Sequence, residues 1–328
     1  MQQTKRHHYV PKAYLKAFCG PTGRLLVYRK DQPEKALPVT PDATQFRGYY
    51  YSQPLPQGGQ DNNTIEAFFS TVEAKWPPAV AALHSRSVVD VALMTDIFEF
   101  MALQFARVPA QRDMVEASLA QMVKSELQVL RLNGSLPKLP FDIEGILDHV
   151  VVSIDPHQSI HAMVPIMQSM GELFNHIGLE VIHNSTCTAF LTSDNPVIWF
   201  DSSLPFAKQR PYTVDLKDGD IQFFFPVSPT MAIRGSREKQ ATCAKQGLHH
   251  TDVLDENWVK TINKQICRFA YEAVIACGPG QEQVIQELAE LSPIHEAITI
   301  PGLSGFTTLH RQAFGARAPK PKWKTSES

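Results

Sequence analysis

The stretch that decides the fold is GLEVIHNSTCTAFLTSDNPVIWF, residues 178–200. It is rich in β-branched and aromatic residues and is interrupted by turn-forming residues around Asn184, so it predicts two short strands. A second stretch, IQFFFPVSPTMAIRG at residues 221–235, repeats the pattern around a turn near Ser228. Together the two stretches predict a small antiparallel sheet over about residues 179–234.

The residues on either side of this sheet have helical periodicity instead. Between about residues 64 and 177, apolar residues recur at steps of three and four, which is typical of helices with one buried face. A second helical pattern covers about residues 255–291. Near the N terminus, a short helix over residues 11–18 precedes GRLLVYRK, residues 23–30, which predicts a strand of a hairpin. Separate groups of helices and strands predict an α+β fold.

The length of 328 residues and the absence of internal repeats favour a single globular domain over residues 1–310. The remaining segment, residues 311–328, carries five basic residues and one acid, which predicts a flexible basic tail. A formal net charge of −2 excludes a general electrostatic attraction to nucleic acid, although a local basic patch is compatible with it.

The five cysteines contain no CxxC pair, so they predict neither a zinc site nor a disulfide framework. No run of about 18 apolar residues occurs, which predicts that the chain has no membrane-spanning helix. The N-terminal residues also lack the apolar stretch of a secretory signal, so a cytoplasmic location is expected.

Two adjacent histidines, His7 and His8, lie in TKRHHYVPKAYLKAF, residues 4–18. Adjacent side chains diverge in a helix or a strand, so one imidazole can work in a site while the other packs or caps. Both are candidates for acid–base chemistry, and we expect His8 to be the working residue and His7 to anchor the segment. The alternative is that both are structural. The apolar residues of the segment also predict that it packs against the helical region.

A second group of candidates lies in LQFARVPAQR, residues 103–112. Gln104, Arg107 and Gln111 would share one helix face if the bend before the proline is mild. Gln104, Arg107 and Arg112 are therefore candidate substrate contacts, and the two arginines could bind phosphate or carboxylate through paired hydrogen bonds.

The alternative for Arg107 is a buried ion pair that locks the N-terminal segment to the helices. Glu66 and Glu73 are the expected partners, because they lie seven residues apart on one helix face. A half-buried carboxylate with a raised pKa can also act as an acid, so Glu73 is a candidate catalytic residue.

The third candidate site is SDNP, residues 193–196. Asp194 could act as a general base, a metal ligand or the group that orients a histidine. Ser193 and Asn195 are candidate substrate contacts. A structural turn, with the side-chain oxygens bonded to backbone amides, is the alternative. We expect this turn to lie at an exposed edge or strand end.

Several of these stretches resemble a widespread bacterial family. KRHHYVPKAYLKAF, residues 5–18, is similar to the opening of an uncharacterised domain-of-unknown-function family marked by an N-terminal His-His-Tyr-Val-Pro motif. LQFARVPAQR is also similar, as are FLTSDNPVIW (190–199), FFPVSPTMAI (224–233) and NKQICRFAY (263–271). The resemblance covers residues 5 to about 275. It indicates which residues to examine but implies no established activity.

Two functional interpretations remain open. In the first, the protein is a hydrolase of phosphodiester or nucleotide substrates, for example a nuclease or a toxin or defence effector, with a histidine as general acid or base and arginines that hold phosphate. Nucleic acid or nucleotide is then the expected partner, and a divalent metal is compatible with the site. In the second, the protein is a non-catalytic binding or sensor module, and the same residues form a structural polar network.

His157 and His161 are spaced i and i+4, which is also the spacing of two metal ligands on a helix. An exposed helix face is the alternative for this pair.

Overall fold

The computed structural model describes residues 5–136, 150–302 and 305–321 of the chain. Its long helices lie between residues 64 and 175, as predicted. The bend between the two longest helices has a local cause, since Pro109 holds Val108 in an extended conformation with ψ of 153°. The helices are α1 (Lys12–Leu15), α2 (Thr64–Glu73), α3 (Trp76–His84), α4 (Val91–Arg107), α5 (Pro109–Leu132), α6 (Pro156–His161), α7 (Met163–Asn175), α8 (Gln240–Gln246), α9 (Glu256–Phe269) and α10 (Glu282–Glu287).

The strands form separate small sheets, which together with the helices confirm the α+β prediction. They are β1 (Arg6–His8), β2 (Leu25–Arg29), β3 (Ala36–Val39), β4 (Phe46–Gly48), β5 (Gln53–Pro54), β6 (Gln60–Asp61), β7 (Gly178–Asn184), β8 (Thr192–Ser193), β9 (Ile198–Asp201), β10 (Ile221–Ser228), β11 (Met231–Ser236), β12 (His249–Val253), β13 (Ala273–Ala276), β14 (Ser292–Gly302) and β15 (Gly305–Gly315).

The largest sheet has the strand order β12-β7-β11-β10-β9. Its last four strands pair antiparallel, as the sequence predicts, whereas β12 joins β7 in parallel. A second sheet has the order β3-β2-β13-β8, and β1 pairs separately with β4. The N-terminal strands are therefore joined in one sheet to a strand near residue 275.

The five-stranded sheet is buried on both faces, which explains the run of three phenylalanines in β10. Phe223 and Phe225 point into a core shared with the helices of the first half of the chain. Phe224, between them, points to the other face and into a core shared with α9 and β13. Alternate residues of a strand face opposite sides, so an unbroken apolar run is typical of a strand covered on both sides.

The structure corrects the predicted exposure of the SDNP turn. The turn follows the end of β8, but Ser193, Asp194 and Asn195 are all fully buried. Strand β8 does not belong to the five-stranded sheet, because it pairs with β13 of the second sheet. The turn therefore lies in the interior, where the chain passes from one sheet to the other.

The C-terminal region also differs from the prediction. Helices α9 and α10 are present, but a long hairpin of β14 and β15 follows them, and the expected start of the flexible tail at residue 311 falls inside β15. Residues 294–300, IHEAITI, are rich in β-branched residues and could have indicated this strand. The chain beyond residue 321 lies outside the described residues.

The N-terminal segment is anchored in the core, as predicted, and Tyr14 is its central contact. The Tyr14 side chain is fully buried and its ring stacks on Phe225 with a centroid distance of 5.3 Å. Its hydroxyl donates a hydrogen bond to the Pro226 carbonyl oxygen at 2.7 Å and lies 2.6 Å from Thr192 Oγ1. One side chain thus connects α1 to strands of both sheets.

Replacing Tyr14 with phenylalanine should lower the free energy of unfolding by about 1–3 kcal/mol, because a buried carbonyl and a buried hydroxyl lose their partner while the packing is retained. Urea denaturation measures this. Tyr49→Phe is the matched control, since the Tyr49 side chain is 46% exposed, and it should unfold like the wild type. Equal stability of both variants would contradict the role given to the Tyr14 hydroxyl.

Candidate functional site

The two adjacent histidines diverge from β1, as the sequence predicts. His7 is fully buried, and its Nδ1 accepts a hydrogen bond from the backbone amide of Tyr51 at 2.9 Å. Its ring lies parallel to the Tyr51 ring, with a centroid distance of 5.8 Å. These contacts place His7 in the anchor of the segment.

His8 lies on the other side of the strand and is half-buried against Phe46, at a ring-centroid distance of 5.4 Å. Burial, together with the nearby Lys12 ammonium, lowers the pKa of His8 below its usual 6.5. Its Nε2 is buried and has no hydrogen-bond partner among the residues that the structure describes. His8 is thus a neutral imidazole near pH 7, with a free nitrogen that could accept a proton.

The other charged groups that act on His8 are Asp42, Glu73 at the end of α2, and Arg107 at the end of α4. Arg107 is only 1% exposed, and its Nη1 donates to Glu73 Oε1 at 2.7 Å. Its Nη2 donates to Gln104 Oε1 at 3.3 Å, while Gln104 Nε2 donates to the Tyr9 carbonyl oxygen at 3.1 Å. The buried ion pair expected as the alternative for Arg107 is therefore present, with Glu73 as the partner.

Glu66 lies two turns before Glu73 on α2 and has a different environment. Burial, reinforced by the negative charge of Glu73 and opposed by Arg107, raises the pKa of Glu66 to about 7. Its Oε1 is buried and has no hydrogen-bond partner within the described part of the chain. The spacing of Glu66 and Glu73 places both carboxylates on one helix face, where either is a candidate acid or ion-pair partner, and the structure gives the raised pKa to Glu66.

His8 and Glu66 both lie within electrostatic reach of Arg107 and Glu73, since both of these charges contribute to each of their pKa values. We call these four residues the His8 cluster. Near neutral pH, an imidazole with a lowered pKa can act as the base and a carboxyl group with a raised pKa can act as the acid. The cluster could therefore carry out acid–base chemistry.

Asp194 belongs to a different polar network. Its Oδ1 accepts the amide of Tyr271 at 2.8 Å and its Oδ2 accepts the amide of Glu272 at 2.6 Å. Burial and the charge of Glu272 raise the pKa of Asp194 to about 6, and Lys30 is the cation that opposes this shift. Asp194 and His8 share no hydrogen bond or ion pair among the described residues, so the structure does not show the contact between them that the sequence predicts.

The neighbours of Asp194 are also committed to internal contacts. Ser193 Oγ accepts the amide of Asn195 at 3.1 Å, as in the structural turn considered as the alternative. Asn195 Nδ2 donates to the Phe269 carbonyl oxygen at 2.8 Å and to the Tyr212 hydroxyl at 2.5 Å. We therefore leave the SDNP residues out of the candidate site.

Arg112 does not face a phosphate site either. Its guanidinium donates to Ser159 Oγ at 3.0 Å and to the carbonyl oxygens of Tyr50 at 2.6 Å and Pro156 at 2.7 Å. It also stacks over the Tyr50 ring at 4.0 Å. Because Arg112 is 2% exposed and uses each of its three nitrogens, its role is to hold α5 against α6 and the turn between β4 and β5.

The comparison with family models supports the expectation that the chain belongs to an uncharacterised family. The model described as "Protein of unknown function (DUF4238)" matches residues 6–278. The chain belongs to this family. No curated protein and no solved structure matches it. The DUF4238 region contains both the His8 cluster and the Asp194 network, and it ends before the β14–β15 hairpin.

Two further features of this DUF4238 chain concern metals and membranes. Within residues 5–136, 150–302 and 305–321, no three histidine, cysteine, aspartate or glutamate side chains are grouped as a metal site would require. His157 and His161 both lie on the short helix α6. None of the described helices is long and apolar enough to cross a membrane.

Asp194→Ala should destabilise the protein by about 2–6 kcal/mol, because two buried amides would each lose their acceptor at about 1–3 kcal/mol. The folded-state pKa of about 6 lies above the ordinary value of 3.8, so the stability contributed by protonated Asp194 is present at low pH. It is lost as the pH rises from about 4 through 6, by at most about 1.4 kcal/mol per pH unit.

The difference in stability between wild type and Asp194→Ala should accordingly narrow over this range in urea denaturation at pH 4.5, 5.5 and 6.5. Asp218→Ala is the control, since Asp218 is exposed. A difference that widens with pH would contradict the raised pKa of Asp194.

Proposed function

We propose that this protein is a hydrolase of phosphodiester or nucleotide bonds that uses the His8 cluster for acid–base catalysis. The observation that carries the proposal is that two titratable groups near one ion pair each have a buried atom without a hydrogen-bond partner. His8 Nε2 and Glu66 Oε1 both lack a hydrogen-bond partner among the described residues, and both lie within reach of the same ion pair. Unpaired buried polar atoms are costly, so retaining two of them near one ion pair favours a functional role.

In the proposed reaction, His8 Nε2 accepts a proton from the water that attacks phosphorus. A P–O bond to this water forms while the P–O bond to the leaving oxygen breaks, and protonated Glu66 donates its proton to that oxygen. The proton on His8 then returns to Glu66 through solvent. Arg107 contributes positive charge near the phosphoryl group, and Glu73 and Gln104 hold its guanidinium in place.

Two exposed cations next to His8 support a phosphate-bearing substrate. Arg6 lies on the strand with His8 and stacks over Phe46 at 4.9 Å, and the Lys12 ammonium is close enough to lower the His8 pKa. Lys12 also pairs with Asp42 at 3.0 Å, where both side chains are largely exposed. Exposed cations around a half-buried imidazole would attract a polyanion without requiring a basic protein overall.

The second candidate is a non-catalytic binding or sensor module, and one observation favours it. Gln104 and Arg107 are both 1% exposed and connect α4 to the Tyr9 carbonyl oxygen, which is the contact expected of a structural lock. On this interpretation the His8 cluster holds the N-terminal segment in place. Activity measurements on His8 variants distinguish the two candidates.

His8→Ala should reduce hydrolysis by about 100-fold or more while leaving the melting temperature nearly unchanged, because a positioned acid–base group contributes about 10²–10⁴-fold. His7→Ala should instead lower the free energy of unfolding by about 1–3 kcal/mol, because the Tyr51 amide loses its buried acceptor. RNA, single- and double-stranded DNA and nucleoside triphosphates are the test substrates, each with and without divalent metal.

His84→Ala is the matched control for His8→Ala, because His84 is exposed. If no substrate is hydrolysed by the wild type, or if His8→Ala retains full activity, the hydrolase proposal is abandoned in favour of the binding module.

The pH dependence provides a separate test of Glu66. Activity should rise as His8 loses its proton below pH 6.5 and fall as Glu66 loses its proton near pH 7, which gives a bell-shaped profile. Glu66→Gln should be slower and should lack the alkaline limb, since glutamine carries no titrating proton. Glu34→Gln, at an exposed position, is the control and should retain the bell-shaped pH profile of activity. An alkaline limb that survives in Glu66→Gln would assign it to another group.

A further inference from the structure

The C-terminal residues 316–321 follow the β14–β15 hairpin and run without regular secondary structure along α5. Two of their side chains are cations, Arg317 and Lys320, and they are three residues apart. Pro319 and Pro321 favour polyproline II geometry, which has three residues per turn, so residues three apart face the same side. Both cations can therefore contact one surface of the protein.

That surface carries acidic side chains at two positions, one of which, Glu272, also pairs with Arg47 at 2.7 Å. Arg317 Nη1 lies 3.2 Å from Glu272 Oε1, and its guanidinium stacks over the Tyr271 ring at 4.7 Å. Lys320 Nζ lies 2.8 Å from Asp113 Oδ1 and 2.5 Å from Glu116 Oε2. We call the surface formed by Asp113, Glu116, Tyr271 and Glu272 the tail groove.

The groove is held in shape by contacts that do not involve the tail. The Tyr271 hydroxyl donates to Asp113 Oδ2 at 3.0 Å, and the Asp194 carboxylate accepts the amides of Tyr271 and Glu272. Ser159 Oγ donates to Glu116 Oε1 at 2.8 Å. These buried contacts fix the acidic side chains in place, and Asp194 contributes by holding the backbone of Tyr271 and Glu272.

Asp113 and Glu116 together form a binding site for a cation. The two carboxylates are one turn apart on α5, and the Glu116 residue is only 5% exposed. Among the described residues, Lys320 is the only cation within ion-pair distance of either carboxylate. Two neighbouring carboxylates, one of them nearly buried, are unfavourable without a counter-charge. The Lys320 ammonium therefore occupies a site that needs a cation.

The tail itself is held weakly. Residues 316–321 are all exposed, and within the described chain no backbone hydrogen bond fixes them to the groove. Their attachment depends on side-chain ion pairs. The Arg317–Glu272 pair is about one-third exposed on both sides and contributes about 0–1 kcal/mol, and the Lys320 side chain remains 40% exposed beside the buried Glu116 carboxylate. A cavity of about 180 Å³ also remains beneath the tail, and its apolar wall includes Met114, Ile154 and Ile294. Residues 316–321 can therefore be displaced from the groove, and they leave part of the cavity beneath them unfilled.

We propose that the tail groove is a recognition site for an extended basic segment of a partner polypeptide, with two cationic side chains three residues apart, and that residues 316–321 occupy it in cis as a weak competitor. Glu272 and Tyr271 bind the first cation, as they bind Arg317. Asp113 and Glu116 bind the second, as they bind Lys320. An apolar side chain of the partner segment enters the cavity. This inference is independent of hydrolysis by the His8 cluster.

The probe is a fluorescein-labelled peptide with the sequence of residues 314–321, FGARAPKP, and the readout is fluorescence anisotropy with the full-length chain. The Arg317→Ala/Lys320→Ala variant exposes the groove and should bind the peptide at least tenfold more tightly than the wild type does. Its affinity should fall as salt rises, because charge pairs dominate the contact. A peptide with alanine at both cationic positions should not bind.

Lys208→Ala/Arg210→Ala is the matched control, because it removes two exposed cations elsewhere and should bind like the wild type. Adding Asp113→Asn to the open variant should weaken peptide binding, and circular dichroism checks that each variant is folded. Arg317→Ala alone is the second variant if the double variant is unstable. It leaves Lys320 on the carboxylates and opens only the Glu272 position, so it should still bind the peptide more tightly than the wild type but less tightly than the double variant.

No saturable binding to either open variant, or equal binding to wild type and open variants, would overturn the proposal. Equal binding of the alanine peptide would do the same. Hydrolytic activity is not part of the readout, so this result and the outcome for the His8 cluster are distinguishable.

Discussion

The fold depends on burying the N-terminal segment between the helices and the five-stranded sheet. Tyr14 does this with a stacked ring and a hydroxyl that contacts Thr192 and the Pro226 carbonyl oxygen. A buried aromatic residue contributes a large apolar area, and its hydroxyl satisfies polar atoms that would otherwise be unpaired. Because β1 precedes α1 directly, docking of Tyr14 also fixes the positions from which His7 and His8 project.

Two networks of buried charges hold together different elements of this protein. Arg107, with Glu73 and Gln104, connects the ends of α2 and α4 to the N-terminal strand. Asp194 connects the turn after β8 to the backbone that follows α9. In each network one buried charge organises backbone from distant parts of the chain. Removing one partner of such a buried charge destabilises the protein strongly, even where the intact interaction contributes little net stability.

The two networks differ in what they leave unpaired. The Asp194 carboxylate has both oxygens bonded to amides, and its effect at the surface is to present Tyr271 and Glu272 to the tail. The His8 cluster leaves His8 Nε2 and Glu66 Oε1 without partners among the described residues. The Asp194 carboxylate is fully paired, which is explained by a structural role, whereas His8 and Glu66 each leave a titratable group unpaired, and the proposed chemistry is therefore assigned to the His8 cluster.

The sequence by itself determined the α+β class, the burial of the N-terminal segment and the divergence of the two histidines, because these follow from local periodicity and from alternation along a strand. It also indicated Arg107 and its carboxylate partner Glu73 through helical spacing. Only the tertiary structure decided that Asp194 is separate from His8, that Arg112 is fully bonded and that Glu66 is unpaired. These facts depend on contacts between residues as distant as Asp194 and Tyr271, or Lys320 and Asp113, and no local pattern encodes which distant backbone amide or cation meets a given carboxylate.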